Sequence, residues 1–199
     1  MFILAIGLLG VVGLQARAQQ AETDSYQRTQ GLVLLRDIAS RINANHGQAF
    51  NTTGSPYLVP TTAPLGTAST IDCTAPTTTP DIDLCAWDAA LKGVAETSGG
   101  SNVGTMIGAR GCITSPAAHT YLVEVVWQGL TPSAAPPSTV ACGANSYGAE
   151  EQRRAVTTIV QIGDINAPWP QQRNGRPALG CGVSAIRGCG NAVDSGVRD

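Results

Sequence analysis

The run Phe2-Ile-Leu-Ala-Ile-Gly-Leu-Leu-Gly-Val-Val-Gly-Leu14 is apolar without interruption and passes directly into a polar stretch that keeps helical spacing. Leu14, Ala18, Ala21, Ser25, Arg28, Leu32, Leu35, Ala39 and Ile42 recur at alternating intervals of four and three. Most are apolar or small, so they draw one stripe along a single helix. No proline precedes Pro56 to force a break. At 1.5 Å per residue, Phe2 to His46 spans roughly 65–70 Å, more than a domain of this size can cover. The first half of the helix is therefore expected to project, into a membrane or a bundle of other helices. Gly47 follows as the expected C-cap.

About fourteen apolar residues fall short of the roughly twenty that a free-standing membrane span needs. A secretory signal peptide is the competing reading, and Ala16-Arg17-Ala18 resembles its cleavage site. Two features oppose it: no basic segment precedes the apolar run, and the helical stripe passes through Ala18 without a change of phase. A membrane helix that continues into a soluble domain accounts for both, and a buried core helix is the third reading. Gly7, Gly10 and Gly13 fall three apart, small residues that let helices approach closely in lipid at a cost of up to about 1 kcal/mol each in helix propensity. The expected assembly face of this helix is Phe2, Ile6, Leu9, Gly10, Gly13 and Leu14.

The rest of the chain sets bounds. Its 199 residues fit one domain plus an appendage. Only 13% are charged, with a net charge of −2 and no basic cluster larger than Arg153–Arg154, which gives no support to nucleic-acid binding. Six cysteines without CxxC spacing or a nearby histidine point to disulfides in an oxidising compartment rather than to zinc. Six allow fifteen connectivities; sequence neighbours suggest Cys73–Cys85, Cys112–Cys142 and Cys181–Cys189.

Residues 51–80, rich in Thr and Pro, read as a long exposed loop, with Asn51-Thr-Thr a formal glycosylation sequon. From Asp81 to Ala95, Leu84, Trp87, Leu91 and Val94 predict a short amphipathic helix opened by acidic residues, and Gly99-Gly-Ser-Asn102 breaks the chain after it. Strands are predicted over Met106–Ile113, Thr120–Trp127 and Arg154–Ile162, the first two as a hairpin. Three strands cannot close a barrel, so one sheet face must be covered by a helix, and the C-terminal half of the long helix is the candidate. The expected fold is α+β, a long N-terminal helix on a small antiparallel β-sheet of about three strands with disulfide-stapled loops.

Catalytic motifs are largely missing: there is no Gly-x-Ser-x-Gly elbow, His-Glu-x-x-His helix or phosphate-binding Gly-x4-Gly-Lys loop. Gly180-Cys-Gly-Val-Ser-Ala185 formally fits a dinucleotide fingerprint but lacks a preceding strand and a following helix. His46 reads as a helix-end residue and His119 as a hairpin-turn residue. Asp81 and Asp83 fit a cation or acid–base pair on paper, and helix-N-terminal carboxylates by the simpler reading. Trp87 and Trp127 read as core; Trp169, between two prolines, is a candidate surface contact, though packing on the sheet is the stronger reading. No cofactor or metal site is expected.

These elements together resemble the type IV pilin architecture, and more closely the PilV family of type IV pilus minor pilins. The resemblance rests on Ile3 to Gln15 and Gln30-Gly-Leu-Val-Leu-Leu-Arg-Asp-Ile-Ala-Ser-Arg-Ile-Asn43. Cys85-Ala-Trp-Asp88, Tyr121-Leu-Val-Glu-Val-Val-Trp127 and Arg153-Arg-Ala-Val156 support it. It implies a type IV pilin-like fold and a structural subunit rather than an enzyme. Residues 1–24 would form the projecting membrane or filament-core half of the helix, and residues 25–199 the globular head. It further implies a single-pass inner-membrane protein with a periplasmic head that primes pilus assembly and sits near the pilus tip. Its partners would be other minor pilins and the major pilin, through the helix, and a PilY-type tip adhesin. Family members carry a leader, a prepilin peptidase site and a Phe-Thr-Leu-Ile-Glu-type start. Met1 lies already inside the apolar run, so either the true start lies upstream, the favoured expectation, or the chain is truncated. A type II secretion pseudopilin shares the architecture, and a periplasmic binding domain cut near Ala18 is the rival from another class.

Overall fold

Helix α1 runs unbroken from Phe2 to Ala44, 43 residues or about 65 Å. In this computed structural model residues 2–50, 53–94, 97–98, 101–102 and 106–164 are described, with side chains for all of these except 2–10, 97–98 and 101–102. The chain divides into two units, Met1–Gly163 and Asp164–Asp199, and the fold below is that of the first. The predictions for Asn51, Trp169, Gly180–Ala185, Cys181–Cys189 and the tail lie outside the described residues.

The C-terminal end of α1 differs from expectation. Gly47 is not a C-cap: it sits inside a further short helix, α2 (His46–Ala49), which follows Ala44 almost directly. The cause is tertiary, because Ala49 is fully buried and its carbonyl accepts a 2.7 Å bond from the Tyr121 hydroxyl. The buried stripe of α1 also shifts. Leu35, Ala39 and Ile42 face inward as predicted, whereas Ser25, Arg28 and Leu32 are exposed and Gln27, Gly31 and Ile38 are buried instead. A Cβ on Gly31 would lie 2.9 Å from the Trp127 ring, so glycine lets α1 lie directly on the sheet.

The sheet has four antiparallel strands in the order β1-β4-β5-β6, one more than predicted. They are β1 (Leu65–Gly66), β4 (Arg110–Ala117), β5 (Thr120–Gln128) and β6 (Arg153–Gln161). The added strand corrects the reading of residues 51–80 as exposed loop. Its first half folds back onto the domain, burying Ser55, Tyr57, Val59 and Leu65. Val59 bridges to Ile113 and Leu65 pairs with Gly111; from Thr67 to Thr79 the segment is largely exposed. Strand β4 begins four residues later than predicted, at Arg110. The β4–β5 hairpin turns at His119, whose φ of 55° is the left-handed conformation of a tight turn. Two-residue strands β2 (Thr97–Ser98) and β3 (Ser101–Asn102) form a separate small ladder at the glycine-rich break.

Helix α3 (Thr79–Leu91) begins two residues before Asp81, because Thr78 and Asp81 exchange a capping box. Leu84, Trp87 and Leu91 are buried as predicted, and Val94, beyond the helix end, is exposed. The Trp87 indole N–H donates to the Leu34 carbonyl at 3.0 Å, fastening α3 to α1. The main core joins Leu35, Ile38 and Ile42 of α1 with Leu84, Trp87 and Leu91 of α3 and one sheet face: Ile113, Tyr121, Val123, Val125, Trp127, Val156 and Val160. The opposite face carries a smaller cluster of Cys112, Val126, Cys142 and Tyr147. Strand β5 is therefore covered on both sides, which is why it reads as a nearly continuous apolar run.

Candidate functional site

Among the described residues three places are considered for chemistry or surface beyond core packing: the exposed part of α1, a polar junction where three segments meet, and a disulfide set against a buried carboxylate.

Residues 11–23 of α1 are all exposed, and the first buried position is Gln27. Leu14 is 72% exposed and Val12 58%, and a Cβ on Gly13 would meet nothing within 4 Å. The predicted face residues Phe2, Ile6, Leu9 and Gly10 lie on helical backbone, with side chains outside those described. The exposed apolar character continues alongside the head at Tyr26 and Val33, on the side away from the sheet. Among the described residues no helix is long and apolar enough to cross a membrane.

The polar junction centres on Asp83, which is not the simple N-terminal carboxylate expected. Its residue is buried; one oxygen accepts 2.6 Å from the Tyr57 hydroxyl and the other 3.1 Å from Arg41. Arg41 also donates to Asp37 at 2.9 Å, and Asn45 donates to the Tyr57 oxygen at 3.0 Å. One carboxylate on α3 thus ties down α1 and the folded-back loop. Burial first, and the neighbouring carboxylate second, push the Tyr57 phenol up to about 12. Asp81, by contrast, behaves as predicted: its oxygen accepts the Thr78 N–H, and hydrogen bonds from Thr78 hold its pKa below the usual value.

Disulfides join Cys73 to Cys85 and Cys112 to Cys142, the two described sequence-neighbour pairs. The first ties the exposed loop to α3; the second pins the connection after β5 onto β4. Glu124 lies against the second bridge, fully buried, and accepts from the Cys142 N–H at 3.1 Å. Its other oxygen has no partner. Burial raises its pKa, while the Cys142 N–H and the charge of Arg153 pull the other way. Buried Arg153 donates to the carbonyls of Val140 and Cys142 and pairs with Glu150 at 2.6 Å. Cys112, Glu124 and Cys142 lie close enough to ligate a metal, but both sulfurs are engaged in the disulfide. The arrangement is a staple packed on a carboxyl group.

Sequence reasoning passed over Glu124, Tyr57 and Arg41. Glu124 left one signal: it interrupts an apolar strand between Leu122 and Val126, so its face of the sheet had to be covered. His46 is exposed; His119 stacks on Phe50 with ring centroids 4.1 Å apart and contacts its carbonyl at 2.6 Å. No protein-family model, curated protein or solved structure matches this chain.

Proposed function

We propose that this protein is a structural subunit of a pilin-like filament system, of the type IV pilus minor-pilin kind. The observation that carries the reading is α1. Its C-terminal half is built into the head, while residues 11–23, about 20 Å of helix, are exposed among the described residues, Val11, Val12 and Leu14 with them. A helix that holds apolar side chains outside its own core is completed by other helices, and Gly13 leaves room for close approach. The head then presents exposed loops, residues 67–79 and the connection near 130–141, while its disulfides keep those loops in place outside the cytosol. In this role the protein works by position: the helix associates with other pilin helices at the inner membrane, and the head is carried to the pilus tip. Mass spectrometry of the native protein tests it. A methylated residue upstream of Met1 is the expected result; a mature N-terminus at Gln19 would mean signal-peptide cleavage and a free periplasmic domain, and would end the filament reading.

A further inference from the structure

At the start of β4 the head holds an open cavity of about 480 Å³, lined by Arg110 together with Thr61, Thr62, Thr70 and Ser146. Small-ligand sites span about 300–1,000 Å³. Its walls come from two segments far apart in sequence, the folded-back loop at 61–70 and the connection at 141–146. Three tight turns shape them. The Ala63 N–H donates to the Pro60 carbonyl at 3.0 Å, the Ser69 N–H to the Gly66 carbonyl at 3.0 Å and the Ser146 N–H to the Gly143 carbonyl at 3.1 Å. The Cys112–Cys142 bridge fastens one wall to β4, and a 2.8 Å bond from the Thr67 N–H to the Ala109 carbonyl fastens the other. A ligand therefore meets walls already formed, which lowers the ordering cost of binding.

Arg110 carries the charge of this lining. Its Nε donates to the Thr67 carbonyl at 3.3 Å, and its guanidinium carbon stands 5.0 Å from the Tyr147 ring centroid, so the side chain is anchored at both ends. No ion pair joins it to a carboxylate among the described residues. The residue is half-buried with Nη1 enclosed, which leaves Nη2 to meet an occupant. The backbone adds a second observation. Ala68, also on the lining, holds a φ of 70°, a left-handed conformation that costs a non-glycine residue roughly 1–2 kcal/mol. Strain of this kind clusters at ligand clamps.

The lining selects a ligand class. One guanidinium without a second cation matches a single carboxylate better than a phosphate dianion. The threonines and the serine bring hydroxyls that both donate and accept, a set suited to a polyol. We propose that the cavity binds a carboxylate-bearing saccharide, a uronate unit, with its carboxylate on Arg110 Nη2 and its ring hydroxyls on the Thr and Ser side chains. The site belongs to the head alone, so it stands whether or not α1 joins a filament.

The test uses the full chain in detergent micelles with ¹³C-methyl-labelled alanine, titrated with methyl glucuronoside to millimolar concentration. The Ala68 methyl signal, the one missing in Ala68→Gly, is expected to shift saturably. Methyl glucoside, acetate, inorganic phosphate and acetyl-Glu-amide are each expected to bind at least about tenfold more weakly, or about 1.4 kcal/mol. Arg110→Gln is expected to bring the glucuronoside down to the affinity of the glucoside. Thr62→Val, at an exposed position where folding is unaffected, is expected to weaken it about threefold. Absence of a saturable shift overturns the proposal, as does unchanged affinity in Thr62→Val. Equal affinity for the glucoside removes the role of Arg110. Equal affinity for acetate or phosphate reduces the site to a general anion contact, and equal affinity for acetyl-Glu-amide makes it a site for acidic side chains; each of these overturns it too.

Discussion

Replacing Tyr57 by Phe isolates the bond that holds the folded-back loop to the two helices. The phenol is fully buried and donates at 2.6 Å to Asp83. The substitution removes one oxygen and leaves an ionised carboxylate oxygen without that donor, while Arg41 retains the other oxygen. Hydrogen bonds to charged groups contribute about 1.5–3 kcal/mol. Titration reports a different quantity, the stability lost as the pH rises through the phenol, because burial of the phenolate is the larger cause of its shift. The phenol ionises near 12 in the folded protein against an ordinary 10.0, and a separation of about two pH units corresponds to about 2.7 kcal/mol. Between those values the folded protein retains a proton that the unfolded chain has lost, so stability falls as pH rises. This contribution is complete below pH 10 and lost by the time the pH has passed about 12. Tyr57→Phe should therefore cost about 2–3 kcal/mol at pH 7, lowering the melting temperature by roughly 5–10 °C for a unit of this size. The gap between wild type and variant should close above pH 10. Thermal melts of the full chain in micelles, followed by tryptophan fluorescence from pH 7 to 11.5, measure both. The raised pKa values of Tyr121 and Tyr147 are common to both proteins and cancel in the difference. Melting temperatures within 1 °C of each other at pH 7, or a gap that stays constant through pH 11.5, would refute the reasoning.

The two bridges should differ in weight. Chain entropy for a separation of 30 residues gives about 3.6 kcal/mol, and for 12 residues about 2.8 kcal/mol; urea midpoints of Cys112→Ser/Cys142→Ser and Cys73→Ser/Cys85→Ser should fall in that order, and a reversed order would contradict it. Glu124→Gln keeps an acceptor for the Cys142 N–H and removes the buried charge. Because the folded pKa of this acid lies above its ordinary 4.5, its favourable contribution is complete only below that value and declines as pH rises through the folded one. Glu124→Gln should therefore gain on wild type in urea unfolding between pH 4.5 and 7, and a gap independent of pH would count against a buried titrating carboxyl. Gly111→Ala drives a methyl group into the Trp87 ring, with ring atoms within 2.8 Å of the new carbon. Overpacking a rigid buried site costs typically 1–3 kcal/mol, so a variant as stable as wild type by urea unfolding would mean that Trp87 can move.

What could be read in the sequence was whatever depends on neighbours along the chain. The β-branched and aromatic run Tyr121-Leu-Val-Glu-Val-Val-Trp127 marks a strand because such side chains fit a pleated, packed surface. The spacing of Leu84, Trp87 and Leu91 marks a helix face, and the absence of proline before Pro56 leaves α1 continuous. Cys73 and Cys85, 12 residues apart, and Cys112 and Cys142, 30 apart, paired as sequence neighbours, since short loops are the least costly to close.

What only the tertiary structure decided concerns groups brought together from distant positions. Asp83 looks like any acidic residue in a first helical turn until Tyr57, 26 positions earlier, and Arg41, 42 positions earlier, arrive on its two oxygens. The strand at Leu65–Gly66 has no signal of its own: two residues cannot show a period, and they form a strand only because Gly111 and Arg110 lie opposite. Gln27 and Gly31 lie outside the stripe read from the sequence of α1, yet both are buried, and the Trp127 ring fills the space that a larger residue at 31 would need. Hydrophobic periodicity records which face of an element meets an apolar neighbour. It does not record the size of that neighbour or the polar atoms beside it, and these decided the helix register and the Asp83 junction.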